Sequence, residues 1–345
     1  MPQGWRYLDD NGHTASQQYQ FSKNIAQIAE RIGYNAIYTY DHLTGGAYFK
    51  QNITKNFFEC FALLSAIAAN TKKIKIGQSM VCNSYRNPSL LAKMVSTIDV
   101  ISNGRVELGM GAGWTKDEYI AYGYEYPSSV DRIRQLDESL NIIRKMWTEK
   151  KSTFIGNYYS IKDAICNPKP IQKPYPKIMI GGTGEKYLLK VVAKHANRYN
   201  HPFSSPEDIK GKLAVLKDHC SVVGRNYYEI ERSVLIRCLI RNSYDDLNTQ
   251  IKAWKKEKET IEEFEKRISA IIGTPEYIIS KLNRYIDIGI THFVIHFVGL
   301  NEQTLRLFDS KVVKKLAENL LYEQQLTFPL IIISECIHFS DDKMV

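Results

Sequence analysis

The chain has 345 residues, 44% hydrophobic and 24% charged, a composition that is typical of globular proteins and excludes a disordered or collagen-like chain. With 46 basic and 37 acidic residues the formal charge is +9. The lysines of 252–267 alternate with glutamates, so we expect a solvated helix there rather than a nucleic-acid-binding surface.

The sequence lacks the signals of export and of a disulfide or metal scaffold. No apolar run approaches the roughly 18 residues of a membrane span, and the first ten residues have neither the basic nor the apolar part of a secretory signal. The six cysteines form no C-x-x-C pair. We therefore expect a cytoplasmic protein with reduced thiols, no metal, no nucleic-acid partner and no membrane contact.

Short apolar runs alternate with longer amphipathic stretches along the chain. The predicted strands are 35–40, 74–82, 105–113, 177–184, 197–200, 234–240 and 291–299. The predicted helices are 17–32, 57–69, 88–102, 129–147, 185–196, 206–222, 246–267, 275–288 and 301–318. The strands are apolar on both faces, as in a parallel sheet covered by helices. Repeated βα units favour a closed barrel or a doubly wound sheet.

In a βα barrel the functional residues follow the carboxyl ends of the strands. Here those positions are rich in aromatic, imidazole and glycine residues: Tyr40, Asp41 and His42, then Cys82 and Asn83, Gly113 and Trp114, Gly182 to Gly184, Asn200 and His201, and His296. Only Asp41 is a carboxylate, which argues against a divalent-metal lyase.

Two of these positions have alternative interpretations. The run GGTGEK (181–186) lacks the ending of a P-loop; it is either a plain βα turn or a backbone N–H site for a phosphate. His42 is either a hydrogen-bonded rim histidine or an imidazole that acts on a substrate oxygen.

One long stretch resembles a known family. The sequence SYRNPSLLAKMVSTIDVISNGRVELGMGAGWTKDEYIAYGYEYPS (84–128) is similar to the luciferase-like monooxygenase superfamily, in its branch of oxidoreductases that use the deazaflavin coenzyme F420. This branch includes methylenetetrahydromethanopterin reductase. Further matches are PQGW (2–5), YDH (40–42), 164–186 and 273–297, so that the resemblance covers residues 1–318.

The resemblance implies an α/β fold, the (β/α)8 TIM barrel of bacterial luciferase, with F420, or alternatively FMN, in the carboxyl-terminal mouth. It implies a small-molecule substrate and, as in many members, a homodimer. Asp41 and His42 would be catalytic beside the ring. The cofactor-binding residues would be Tyr40, Asp41, Ser79, Met80, Val81, Cys82, Asn83, Gly113, Trp114, Gly181, Gly182, Thr183 and Gly184. A non-proline cis peptide is expected at Ser79–Met80 or Met80–Val81.

Two departures from the family bear on the substrate. Related sugar-phosphate and alcohol dehydrogenases have a tryptophan and a glutamate where this chain has Gly46 and Trp114, so neither substrate class transfers. Reduction of a pterin, or of another carbonyl compound or an enoate, stays open. The predicted function is hydride transfer between F420 and an unidentified small organic molecule. The alternatives are an FMN-dependent monooxygenase and a flavin-binding barrel without turnover.

The two ends of the chain also depart from the family. The PQGW motif follows Met1 directly, where relatives have a first strand, so seven barrel strands are predicted instead of eight. We expect one barrel domain over 1–318, with an insertion at 148–176, and an atypical extension over 319–345. The apolar run Leu330–Cys336 is predicted to occupy the vacant strand position; the alternative is a loosely packed tail.

Overall fold

The computed structural model describes residues 1–3, 13–44, 56–252, 255–256, 258–322 and 330–334. Gly46 and the Gly4-Trp5 half of PQGW lie outside these ranges. The strands are β1 (Ala36–Thr39), β2 (Lys75–Gln78), β3 (Val81–Cys82), β4 (Val106–Gly111), β5 (Ser152–Ile155), β6 (Ser160–Ala164), β7 (Ile178–Gly181), β8 (Arg198–Pro202), β9 (Glu231–Ile240), β10 (Ala270–Gly273), β11 (His292–Phe297) and β12 (Leu330–Ser334).

The helices cover the outside of the sheet. They are α1 (Ala15–Ile32), α2 (Cys60–Asn70), α3 (Pro88–Ile101), α4 (Lys116–Ala121), α5 (Ser129–Thr148), α6 (Leu188–His195), α7 (Pro206–Val223), α8 (Tyr244–Ile251), α9 (Ile261–Ile268), α10 (Pro275–Asp287), α11 (Glu302–Phe308) and α12 (Lys314–Tyr322). Among the described helices, none has the length and apolar character that a bilayer crossing requires.

Eight parallel strands pair into a closed ring in the order β1, β2, β4, β7, β8, β9, β11, β12, and β12 returns to β1. All seven predicted strands are present. Because the connections are strand, helix, parallel strand, every carboxyl strand end faces the same mouth, as in a (β/α)8 barrel.

The strand next to β1 comes from the far end of the chain. In β12, Ile332 is in register with Ile37 of β1 and with Ile295 of β11. The predicted filling of the first-strand position is therefore confirmed for residues 330–334, while Glu335 and Cys336 lie outside the described residues. This pairing satisfies the edges that β1 and β11 would otherwise expose.

Two predicted features outside the barrel strands differ from the structure. The insertion contains an antiparallel hairpin, β5–β6, which its weak periodicity did not indicate. The single helix predicted over 246–267 is wrong, because α8 ends at Ile251 and α9 begins after Thr260. Thr260 and Glu263 form a capping box, which starts a new helix whatever the charge pattern before it.

The barrel interior contains a buried ionic network. The Arg198 guanidinium donates to Glu107 at 2.9 Å and pairs with Glu231 at 2.7 Å, and the Tyr38 hydroxyl donates to Glu107. Burial by itself would raise the pKa of Glu107, but the charges of Arg198 and Lys75 outweigh it and lower this pKa to about 2. The carboxylate is therefore charged at all ordinary pH values.

Replacing Glu107 with glutamine is expected to lower the free energy of unfolding by about 3–5 kcal/mol at pH 7, since one partner of a buried pair is lost. Because folding lowers the pKa of Glu107, its carboxylate stabilises the folded protein at pH values above the ordinary pKa of 4.5. That contribution is lost as the pH falls towards 2. The difference between wild type and Glu107→Gln should therefore shrink by about 3 kcal/mol over that interval in urea titrations.

The matched control is Glu302→Gln, which removes an exposed i,i+4 pair with Arg306 and should change stability by less than about 1 kcal/mol. A Glu107→Gln variant as stable as this control at pH 7 would contradict the assignment.

Candidate active site

The mouth of the barrel contains a mostly apolar cavity of about 310 Å³, within the range of small-molecule sites. Eleven of the predicted site residues line it: Tyr40, Asp41, His42, Ser79, Met80, Val81, Cys82, Gly113, Trp114, Gly181 and Gly182. Three do not. The Asn83 side chain is directed to the Tyr159 hydroxyl, and Thr183 and Gly184 lie in the turn towards α6.

His42 lies at this mouth, where a carboxylate from α4 orients its ring. The Nδ1 atom is 2.8 Å from Oε2 of Glu118. Because a carboxylate only accepts, Nδ1 carries a proton, and Nε2 is the nitrogen that would exchange a proton with a substrate. Trp114 contacts the ring edge-on, at a centroid distance of 5.8 Å.

Glu118 is itself held by several donors. Its Oε1 accepts from the amides of Leu43 and Thr44, both at 3.0 Å, and the Tyr85 hydroxyl donates to Oε2 at 3.0 Å. Burial alone would raise the pKa of Glu118, but the hydrogen bonds from His42 and these amides lower it below the ordinary value. Glu118 thus remains an anion that fixes both the imidazole and the loop after it.

Both carboxylate oxygens of Asp41 accept hydrogen bonds from other groups of the protein. Arg86 donates to both of its oxygens, at 2.7 and 2.9 Å, and the Cys82 amide donates at 2.9 Å. The Cys60 thiol also contacts it, at 3.1 Å. Asp41 therefore ties the end of β1 to β3, with its charge balanced by Arg86.

The segment after β2 packs against the end of β7, and both line the cavity. The Ser79–Met80 peptide is cis, which confirms the expectation for this segment. The Ser79 hydroxyl is buried, and no partner is found for it among the described residues. A Cβ on Gly181 would lie 2.8 Å from Cγ of Met80, and one on Gly182, where φ is +137°, would lie 2.4 Å from Leu188. Glycine at both positions therefore allows Met80 and Leu188 to pack against the backbone at the end of β7.

Cys82 lies at the same mouth, and its thiol is 3.0 Å from the Tyr119 hydroxyl. Burial raises the pKa of this thiol to about 12. It therefore stays protonated at physiological pH and is a packing group rather than a nucleophile.

We expect Cys82 in the folded protein to react with iodoacetamide at pH 8 at least about 100-fold more slowly than in urea, because the thiolate fraction is small and access is limited. Timed quenching and mass spectrometry of the Cys82 peptide measure this. Equal rates in the folded and unfolded protein would contradict the buried, protonated thiol.

A model of the luciferase-like monooxygenase family matches residues 1–292. The chain belongs to this family. The match confirms the resemblance that residues 84–128 indicated.

The relatives of this luciferase-like protein include enzymes named as F420-dependent and enzymes named as FMNH(2)-dependent. It is 27% identical over 333 residues to an F420-dependent glucose-6-phosphate dehydrogenase of Microbacterium testaceum (strain StLB037), over 88% of this chain and 96% of the relative. It is also 27% identical over 223 residues to an FMNH(2)-dependent dimethylsulfone monooxygenase of Pseudomonas putida, over 63% of this chain and 60% of the relative.

A solved structure confirms the fold of this family member. The coenzyme F420-dependent tetrahydromethanopterin reductase of Methanopyrus kandleri has a TM-score of 0.70 at 19% identity, covering 86% of this chain and 95% of that one.

Three polar site residues were not predicted from the sequence. Arg86 and Glu118 hold Asp41 and His42, and Arg132 donates to the carbonyl of Gly113. Glu118 lies four residues after Trp114 in the first turn of α4, so the W-x-x-x-E spacing was the available signal. Arg86 and Arg132 meet their partners only through the fold.

Proposed function

We propose that this protein is an F420-dependent oxidoreductase that transfers hydride between the deazaflavin and a small organic substrate. The observation that carries the proposal is a buried imidazole, His42, oriented by the Glu118 carboxylate at the rim of a mostly apolar cavity. Membership of the luciferase-like family and the F420-dependent relative support the choice of cofactor.

The residues present fit a planar ring system. Because Gly181 and Gly182 carry no side chain, Met80 and Leu188 pack against the backbone there and no β7 side chain enters the cavity. The buried Ser79 hydroxyl offers a hydrogen bond. Thr183 and Gly184 lie just before α6, where we propose that their amides approach the phosphate of the cofactor. Asn83 has no place in this assignment, because its side chain faces Tyr159.

When bound, a reduced deazaflavin supplies two electrons as hydride. The protein holds the substrate beside the ring, excludes water through the apolar lining and provides the proton. His42 holds that proton at Nε2 for the substrate oxygen, while Glu118 stabilises the imidazolium. Asp41 acts as a positioning residue for the Cys82 backbone and takes no proton.

A binding experiment tests the cofactor assignment. We expect the full chain to quench F420 fluorescence with a Kd in the micromolar range and to bind FMN at least tenfold more weakly. Tighter binding of FMN would favour the second candidate, an FMN-dependent monooxygenase, which the dimethylsulfone monooxygenase relative supports. Binding of F420 without turnover on a broad carbonyl panel would indicate a binding protein.

A further inference from the structure

One wall of the cavity is aromatic and is built from strands that are distant in sequence. Tyr40 follows β1 and Phe203 follows β8, and both line the cavity together with Leu235 of β9. His296 of β11 lies between the two rings, with centroids 6.1 Å from Tyr40 and 6.3 Å from Phe203. The Tyr40 hydroxyl is 3.3 Å from Nδ1 of His296.

Phe203 has a backbone conformation that does not suit its side chain. Its φ is +38°, in the left-handed region that favours glycine, and its amide donates to the Leu235 carbonyl at 3.0 Å. A non-glycine residue in this region is uncommon, and such residues concentrate at binding sites. The conformation places an aromatic ring at the cavity where glycine would be less strained.

Arg237 supports this ring from a position outside the lining. Its guanidinium carbon lies 4.0 Å from the centroid of Phe203, and Nη1 donates to the Ile268 carbonyl at 3.1 Å. Ile268 is the last residue of α9, so Arg237 connects the aromatic wall to the carbonyl end of that helix. Stacking of this kind restricts the motion of the ring.

The charges at the cavity are already balanced inside the protein. Among the described lining residues only Asp41 and Arg132 carry a permanent charge. Asp41 is paired with Arg86, and Arg132 donates to the carbonyls of Gly113 and Pro127 while its guanidinium stacks on Tyr126. A phosphorylated sugar needs cations that these residues do not offer.

We propose that Tyr40, Phe203 and Leu235 form the substrate wall for a neutral carbonyl compound with a flat apolar part, and that Arg237 is the positioning residue for Phe203. This proposal rests on the proposed function and names its substrate class. The reduction adds one hydride to the carbonyl carbon and one proton to the oxygen, so the substrate gains the two electrons that reduced F420 loses.

The experiment follows oxidation of reduced F420 by the full chain with two probes, acetophenone and glucose 6-phosphate. Wild type is expected to prefer acetophenone at least tenfold in kcat/KM. Phe203→Ala should raise the KM for acetophenone about tenfold, with the Kd of F420 unchanged within twofold. Phe203→Leu, which keeps an apolar side chain, should give an intermediate KM. It shows whether the effect follows the loss of the ring even if the alanine variant folds poorly.

Arg237 is tested through the same constants. Arg237→Gln should raise the KM for acetophenone three- to tenfold at unchanged kcat, and Arg237→Lys, which keeps a cation over the ring, should restore part of the loss. The control is Tyr228→Ala, whose side chain is 72% exposed and lies outside the cavity lining. It should leave all constants unchanged.

The outcomes separate this proposal from the cofactor assignment. If F420 binds but wild type prefers glucose 6-phosphate, or Phe203→Ala leaves the KM for acetophenone unchanged, the wall is wrong and the cofactor assignment stands. If F420 does not bind, saturation-transfer NMR with acetophenone alone decides. Binding that Phe203→Ala weakens supports the wall, and absence of binding to wild type overturns it.

Discussion

Replacing His42 with alanine is expected to lower kcat for F420-dependent reduction by about 10²–10⁴-fold, the usual contribution of a positioned acid or base. The Kd of F420 should change by less than about twofold, because the role proposed for the imidazole is at the substrate oxygen and not at the phosphate of the cofactor. Stopped-flow oxidation of reduced F420 and fluorescence titration measure the two quantities separately.

Glu118→Gln tests the same site with a smaller expected effect on kcat. An amide still occupies the position but no longer favours a proton on Nδ1 or stabilises the imidazolium, so we expect a smaller loss of kcat and a changed pH profile. His13→Ala, an exposed histidine outside the site, is the control. A His42→Ala enzyme with more than a third of the wild-type kcat would remove His42 from the mechanism.

Deleting residues 323–345 is expected to abolish the native fold. β12 is hydrogen-bonded to β1 on one side and to β11 on the other. Its loss would open the barrel between these two strands and leave both with an unpaired edge. The cost is comparable to the whole free energy of unfolding of a domain, about 5–15 kcal/mol. The readouts are the soluble fraction after expression, the near-UV circular dichroism and the Tm.

Two variants isolate the strand from the rest of the tail. Deleting only 337–345 leaves the paired residues 330–334 in place and should preserve the Tm within a few degrees. Ile332→Pro removes a backbone donor from a strand that is paired on both sides and should reproduce the full deletion. A native Tm in the 323–345 deletion would contradict the role of β12 in closing the barrel.

The segment after β4 contains both a residue that the sequence placed correctly at the cavity and one that it missed. The run of glycines predicted a strand end at the cavity, and Trp114 was expected there, but the partner of His42 was missed. The replacement of the relatives' glutamate by Trp114 concerned one position only. Glu118, one helical turn further on, reaches His42 because α4 folds back over the end of β1.

The positions of most strands could be predicted because they depend on local sequence patterns. Apolar runs of strand length, prolines at helix starts and glycines at strand ends depend on neighbours within a few residues. The bounds of β1, β4, β7 and β11 were therefore predicted to within about three residues. The apolar composition of 330–336, together with the vacant first-strand position that the family resemblance implied, predicted the pairing of a strand about 290 residues from its partner β1.

The sequence by itself determined the alternation of strands and helices, the family and most of the cavity lining. Only the tertiary structure decided which polar groups meet, as in Arg86 with Asp41 and Arg132 with the Gly113 carbonyl, and which way Asn83 and Phe203 point. The reason is that backbone periodicity is a local property, whereas a hydrogen bond across the mouth depends on the register of strands far apart in the chain. The closed ring of eight strands fixes that register.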